Sequence, residues 1–250
     1  MQNKSQLWLF FIGLILSSCQ TINRSNEELS LPPSMVIFSF DDGPNNHDDT
    51  TGRLLDVLKK YEIKAMFSLL GENAGANPDM VKRIYDEGHL IINHGYSGKW
   101  PCKMGEGKFR KTLALGEAAI SAATSKELNP KLYRPHSGFY TSGNEKIYRE
   151  AGYTMVPSSV RIYDASLSGE KKDKAVKQVI EKVEKQNGGI ILLHDALNSH
   201  LRMEKELEKK PSGAYNRSWI PDAVEEIIIA LIGKGFKLNN NLNYIVENLK

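Results

Sequence analysis

Two adjacent carboxylates stand where a short apolar stretch of the sequence ends. Asp41 and Asp42 directly follow the mainly apolar residues 35–40, and the dipeptide Gly43-Pro44 then forces a turn. Adjacent like charges repel, and a buried carboxylate is unfavourable unless a positive group lies beside it. Two interpretations fit this pattern: a turn in which an aspartate caps the following helix, or a binding site for a metal cation.

Ionisable or amide side chains also follow three other apolar runs of the chain. These residues are Asn93, His94, Arg134, His194 and Asp195. In parallel sheets the carboxyl ends of the strands meet at one face, and ligands bind there. We therefore expect these side chains and the two aspartates to lie together at one face of the molecule.

Short apolar runs alternate with amphipathic segments along the chain, which predicts parallel βαβ units. The predicted strands are residues 35–40, 63–70, 89–92, 131–134, 153–156, 189–193 and 236–238. The predicted helices are residues 48–61, 77–88, 105–126, 143–152, 172–187 and 221–235. This α/β pattern suits either a barrel or a doubly wound sheet.

The composition is that of one large folded domain. The chain has 250 residues, of which 40% are hydrophobic and 25% are charged. A formal net charge of +3 is mild, and there is no concentrated basic stripe of the kind that binds nucleic acid. The Lys- and Glu-rich stretch 202–210 is interpreted as a solvated helical face. No nucleic-acid partner is expected.

The N-terminus has the features of an export signal. Lys4 precedes the apolar run 7–16, which is shorter than the ~20 residues that a membrane span needs. The following Leu-Ser-Ser-Cys resembles the lipobox of bacterial lipoproteins, which implies cleavage before Cys19 and acylation of its thiol. The alternative is a plain signal peptide with an incidental cysteine.

These features predict the organisation of the chain. Residues 1–19 form the signal peptide with Cys19, residues 20–33 a polar tether, and residues 34–250 the catalytic domain. The lipobox resemblance implies an exported protein held on a bacterial membrane, on its periplasmic or cell-surface side. Cys102 would then be the one remaining thiol, so no internal disulfide is expected.

Five motifs in residues 34–240 together resemble the polysaccharide deacetylase family, which includes chitin, chitooligosaccharide and peptidoglycan N-acetylglucosamine deacetylases. The motifs are SFDDGP (39–44), NHGYSG (93–98), YRPHSG (133–138), RIYDAS (161–166) and LLHD (192–195). The resemblance implies a distorted (β/α) barrel with about seven parallel strands. It also implies a metal-dependent hydrolase, with zinc as the expected divalent ion, that removes acetyl groups from N-acetylglucosamine units of peptidoglycan or another cell-envelope polysaccharide.

The first three motifs carry the implied base and metal ligands. By resemblance, Asp41 is the general base, while Asp42 and His94 bind the metal. Arg134 is expected to pair with Asp41 and keep it ionised, because an arginine partner lowers the pKa of a carboxyl group.

The last three motifs carry the implied acid and substrate contacts. By resemblance, His194 is the general acid and Asp164 holds it in place. The backbone N–H of Ser137 is implied as the donor to the developing oxyanion. Leu192 is implied to line the pocket for the acetyl methyl group, and Pro135 to contact the substrate.

Two of the departures from the family pattern count against activity. Gly98 stands where the second metal-binding His of the family belongs, and Ala165 stands where a Trp is usual. A water or an unidentified residue, His136 or Cys102 could complete the metal site. The alternative is a catalytically impaired, glycan-binding lipoprotein. Three histidines without motif support are interpreted as surface or loop residues: His47, His89 and His200.

Overall fold

The computed structural model describes residues 20–21 and 31–249. The predicted signal peptide, including Cys19, lies outside the described residues, as do residues 22–30 of the predicted tether. Cleavage of the signal peptide and lipidation of Cys19 therefore stay predictions.

A curled sheet of parallel strands forms the centre of the protein. The described strands are β1 (Gln20–Thr21), β2 (Met35–Asp41), β3 (Met66–Leu69), β4 (Leu90–Asn93), β5 (Leu132–Tyr133), β6 (Phe139–Tyr140), β7 (Thr154–Met155), β8 (Val160–Arg161), β9 (Gly189–His194) and β10 (Lys237–Leu238). Seven of them follow in the order β7-β5-β4-β3-β2-β9-β8, β10 pairs with the start of β2, and β1 pairs antiparallel with β6. The predicted distorted (β/α) barrel of about seven parallel strands is confirmed.

Helices pack against this sheet. The described helices are α1 (Thr50–Lys60), α2 (Gly71–Ala76), α3 (Pro78–Asp86), α4 (Glu106–Thr124), α5 (Ser142–Glu150), α6 (Lys172–Gln186), α7 (His200–Lys209), α8 (Ile220–Gly233) and α9 (Asn243–Asn248). Among them, none combines the length and the apolar character needed to cross a bilayer. The strands β1, β6 and β8 and the helices α2 and α9 were not predicted, because elements of two to six residues are too short to show a period.

The sequence of β2 alternates between two environments. Val36, Phe38 and Phe40 pack into the large core between sheet and helices. Ile37 belongs to a second, smaller apolar cluster with residues of other strands. Because side chains alternate along a strand, Ser39 and Asp41 share the face of Ile37. The inner face of this strand is thus apolar near its start and polar near its end.

The strand register brings the ends of the central strands to one level. Asp41 pairs with Ser68 on one side and with His194 on the other. Asn93 pairs with Leu69 and Tyr133, so His94 and Arg134 leave the sheet together. The expected common face is therefore present.

Candidate active site

Asp41 and Arg134 form a buried ion pair at the end of the central strand. Arg134 Nη1 lies 2.5 Å from Asp41 Oδ1, and it also donates to the hydroxyl groups of Ser39 and Ser68 at 2.6 and 3.1 Å. Burial raises the pKa of Asp41, but the charges of Arg134, His94 and His194 lower it more, so the pKa lies below its usual value. This arrangement keeps Asp41 ionised and able to accept a proton.

The backbone at Asp42 is turned so that two neighbouring carboxylates face the site. Asp42 adopts a left-handed conformation with φ 74°, which is uncommon for a residue other than glycine. The backbone N–H of Asn198 donates to Asp42 Oδ2 at 2.8 Å, and Asn73 Nδ2 donates to the Asp42 carbonyl at 2.7 Å. The first bond orients the Asp42 side chain, and the second holds its backbone.

Asp42 lies beside two buried histidines that come from different segments. His94 Nε2 is 3.3 Å and His136 Nδ1 is 3.1 Å from Asp42 Oδ1. Burial raises the pKa of Asp42, but the charges and hydrogen bonds of His136 and His94 lower it well below its usual value. One ligand atom from each residue lies within 4.8 Å of the others, so the three side chains could hold a cation.

The donor set fits a transition metal. One carboxylate and two imidazoles are ligands that zinc accepts, and three protein ligands leave a position open. His94 Nδ1 is 2.8 Å from the Arg134 carbonyl, and such a bond directs the other ring nitrogen toward a metal. Of the completions left open by the sequence, His136 is the residue that lies beside Asp42. Within the described residues, this cluster does not include Cys102.

Asn198 occupies the space that a side chain at position 98 would need. A Cβ atom added at Gly98 would clash with Asn198 Oδ1, and it would lie 2.9 Å from Asn198 Cγ and 3.2 Å from its Cα. The place of a second ligand on that segment is therefore occupied by Asn198, the residue whose N–H binds Asp42.

Asp164 and His194 form a second buried pair. Asp164 Oδ1 is 2.9 Å from His194 Nδ1, and Oδ2 accepts the His194 backbone N–H at 2.9 Å. Burial lowers the pKa of His194, but the charge and hydrogen bond of Asp164 outweigh it and raise that pKa to about 9. Burial raises the pKa of Asp164, yet His194 and Arg217 bring it below its usual value. His194 is thus held as a proton donor.

One cavity of about 340 Å³ is lined by both ion pairs, Asp41–Arg134 and Asp164–His194. The lining residues include Asp41, Arg134, Pro135, Ser137, Asp164, Leu192 and His194. Ser137 belongs to the turn His136–Gly138 and has φ 67°. The exposed Tyr163 and the half-buried Arg161 complete one wall. All residues singled out from the sequence as base, acid and substrate contacts therefore border one cavity.

The other histidines lie in three different environments. His47 is exposed. The side chain of His200 is half-buried, and its backbone N–H donates to Asn73. His89 lies in the loop between α3 and β4, but it is not a surface residue: it is 7% exposed, its Nδ1 accepts the Ala65 backbone N–H, and burial lowers its pKa to about 4.

Asp195 is a buried carboxyl group behind the site. It is 0% exposed, and Thr51 Oγ1 donates to its Oδ2 at 2.5 Å, while no described residue donates to Oδ1. Burial raises its pKa to about 6, against the smaller lowering effect of Thr51. Because the folded-state pKa exceeds the usual 3.8, the stabilising contribution of Asp195 is present below about pH 4 and is lost as the pH rises through about 6.

Asp195→Asn should therefore gain stability relative to the wild type as the pH rises. A pKa difference of about 2 units corresponds to about 3 kcal/mol in the free energy of unfolding between pH 4 and 7.5. Urea unfolding at both pH values measures this change, with the exposed Asp48→Asn as the control. An equal difference between wild type and Asp195→Asn at both pH values would contradict the prediction.

Comparison with known proteins identifies the family. The family model described as polysaccharide deacetylase matches residues 29–156. The chain belongs to the polysaccharide deacetylase family, as the motif resemblance implied.

The chain is similar to several proteins named as deacetylases. It is 34% identical over 167 residues to a peptidoglycan-N-acetylglucosamine deacetylase of Bacillus cereus, covering 67% of this chain and 58% of that protein. It is 33% identical over 165 residues to a chitooligosaccharide deacetylase of Rhizobium leguminosarum bv. trifolii, covering 64% and 71%. A crystal structure of a peptidoglycan N-acetylglucosamine deacetylase superimposes with a TM-score of 0.64 and 30% identity, covering 83% and 86%.

Proposed function

We propose that this protein is a metal-dependent deacetylase that acts on N-acetylglucosamine units of peptidoglycan or another cell-envelope polysaccharide. The observation that carries the proposal is the meeting of three groups at one place: the cluster Asp42, His94 and His136, the pair Asp41–Arg134 and the pair Asp164–His194. The names of the two relatives, a peptidoglycan-N-acetylglucosamine deacetylase and a chitooligosaccharide deacetylase, support the substrate class.

Asp42, His94 and His136 would hold the metal, and zinc suits their donor atoms. A bound zinc ion would lower the pKa of a water molecule to about 7 and polarise the acetyl carbonyl. Its binding by two imidazoles requires that both are neutral, so metal affinity should weaken in acid.

The chain's own residues would move the protons of amide hydrolysis. Asp41, kept ionised by Arg134, accepts a proton from the attacking water. The water oxygen bonds to the acetyl carbon, and the bond from that carbon to the sugar nitrogen breaks. His194 gives its proton to the leaving nitrogen, and its Nδ1 remains bound to Asp164. Acetate and a free amine result.

Three residues of the cavity would bind the acetyl group. The backbone N–H of Ser137 is proposed to donate to the acetyl oxygen as negative charge develops there. Leu192 is proposed to contact the methyl group, and Pro135 to contact the sugar. All three border the cavity with Asp41 and His194.

The proposal is tested by measuring acetate and free amine together. The metal-depleted protein, with and without added zinc, is incubated with N-acetylglucosamine oligomers, peptidoglycan and an O-acetylated xylan. Zinc-dependent release of acetate with an equal amount of free amine is expected from the first two. Glycan binding without acetate release would favour the alternative of an impaired, glycan-binding protein, and release from xylan alone would indicate an esterase.

We also propose that the protein is exported and anchored by acylated Cys19. The support is the charged, apolar and Leu-Ser-Ser-Cys segments of residues 1–19. Radioactive palmitate should label the wild type in a bacterial host, and the protein should fractionate with membranes. Cys19→Ser should lose the label, whereas Cys102→Ser should keep it. Labelling that survives Cys19→Ser would contradict the proposal.

A further inference from the structure

Arg217 is a fully buried arginine in the segment between α7 and α8. Its side chain is 0% exposed, and its guanidinium lies 4.8 Å from the ring centre of Trp219. It is not part of any of the motifs that identify the base, the acid and the metal ligands. A buried arginine is unfavourable unless its charge is paired and its five N–H groups find acceptors.

The acceptors of Arg217 include both partners of the second pair, together with the carbonyl groups of Leu167 and Ala214. Nη2 lies 2.5 Å from Asp164 Oδ2, and Nη1 donates to the carbonyl groups of Asp164 and Leu167 at 3.1 and 3.2 Å. Nε donates to the carbonyl of His194 at 3.1 Å. A single guanidinium thus joins the turn that carries Asp164 to the strand end that carries His194.

The turn at Asp164 is short, which makes this connection important. Asp164 begins a single 3₁₀ turn, Asp164–Ser166, and follows Tyr163, which has a left-handed φ of 53°. The strand before it, β8, has two residues, and Ala165 adds one methyl group of packing. Arg217 donates hydrogen bonds to the carbonyl of Asp164, the first residue of this turn, and to that of Leu167, the residue after its last.

We infer that Arg217 is a positioning residue, which holds Asp164 and His194 in one fixed arrangement at the cavity. The effect on the rate rests on the proposed function, whereas the arrangement itself is measurable without substrate. Arg217 is not itself a lining residue of the cavity, but its guanidinium contacts two residues that are, Asp164 and His194.

The charge of Arg217 also affects the acid strength of His194. Among the described residues, seven charged groups lie around this imidazole: Asp41, Asp42, Asp164, Asp195, Arg134, Arg161 and Arg217. Because Arg217 shares the Asp164 carboxylate, it reduces the attraction that Asp164 exerts on the His194 proton. Without Arg217 the pKa of His194 should rise, and His194 should become a weaker proton donor.

The test compares Arg217→Met, Arg217→Lys and a control, Arg83→Met, each in the full protein. Arg83 also joins a carbonyl group to two carboxylates, those of Asp56 and Glu87, but lies outside the cavity. We measure the pH dependence of kcat, KM, zinc affinity, and the proton NMR resonance of His194 Nδ1–H.

Arg217→Met should lower kcat by about 100-fold, the scale of a misplaced general acid, with KM and zinc affinity changed less than about threefold. The fall in kcat on the alkaline side of the pH profile (the alkaline limb) should move to a pH about one unit higher. Arg217→Lys, which keeps the charge, should hold the limb near the wild-type position. The Nδ1–H resonance should shift in Arg217→Met and stay in Arg83→Met.

Other results would overturn the inference. An unchanged alkaline limb and an unchanged resonance in Arg217→Met would show that Arg217 stabilises its own segment without positioning Asp164 and His194. Loss of the fold in both Arg217 variants would also show a purely structural role. If the wild type released no acetate, the proposed function would fail, and the resonance alone would still decide whether Arg217 positions the pair.

Discussion

His136→Ala is expected to abolish tight zinc binding and acetate release together. His136 Nδ1 lies 3.1 Å from Asp42 Oδ1, and it is the one described residue that completes a group of three with Asp42 and His94. Loss of a group that merely orients a ligand weakens metal binding by about 10–100-fold, so loss of the ligand should exceed about 100-fold. Calorimetric titration with zinc measures the affinity without any assumption about the substrate.

His89→Ala is the matched control for this experiment. His89 is as buried as His136, at 7% and 8% exposed, but it lies outside the cluster. It should lose stability and keep the zinc affinity of the wild type. Zinc binding that survives His136→Ala unchanged would rule out His136 as a ligand and would favour a water or another residue in the third position.

Gly98→His should not restore zinc binding to the His136→Ala variant. The added side chain would collide with Asn198, whose backbone N–H orients Asp42. Asn198→Gly keeps that N–H and suits the φ of 60° at this position. Only the double change, Gly98→His with Asn198→Gly, offers the space for a histidine. Restoration by Gly98→His alone would contradict the steric account.

Asp41→Asn is expected to lower acetate release by about 10²–10⁴-fold, the usual contribution of a general base. The amide has the same shape as the carboxylate and still accepts a bond from Arg134, but it cannot take a proton from water. Zinc affinity should change less than about tenfold, because Asp41 is not in the metal cluster. The measurement is kcat for acetate release at saturating zinc.

A loss of stability should accompany Asp41→Asn. Arg134 is 1% exposed, and the substitution leaves its charge without the Asp41 carboxylate. Asp48→Asn, at an exposed position, serves as the control and should keep full activity and stability. Full activity in folded, zinc-loaded Asp41→Asn would exclude Asp41 as the base.

The strand-end residues could be predicted because their positions follow from the sheet. Asp41 and His194 end two apolar runs, and the register places them side by side. Ser39 and Ser68 could also have been selected, since a polar residue inside an apolar strand indicates a polar neighbour. Both accept hydrogen bonds from Arg134.

The sequence left His136 among several possible third ligands without singling it out, and it did not indicate Arg217. The direction of the His136 side chain depends on a turn in which Ser137 has φ 67°, and no local pattern fixes that angle. Arg217 lies in a segment without periodicity, and its partners are distant in sequence. In the motif, Gly98 reads as the loss of a metal ligand. In the structure, the space beside it is occupied by Asn198, which is 100 positions away in the sequence.

The position of β2 has a consequence for how the site would respond to thermal fluctuation. This strand is hydrogen-bonded to β9 over six residues, and its other edge is covered by β3 and β10. Amide hydrogens in such a strand exchange with solvent chiefly through global unfolding. Asp41 and His194 end β2 and β9, so the distance between them should stay constant until the protein unfolds globally. His136 and Asp164 lie in single turns at the border of the sheet, where local opening is less costly. Warming should therefore loosen the third metal ligand and the support of His194 well before it moves the base away from the acid.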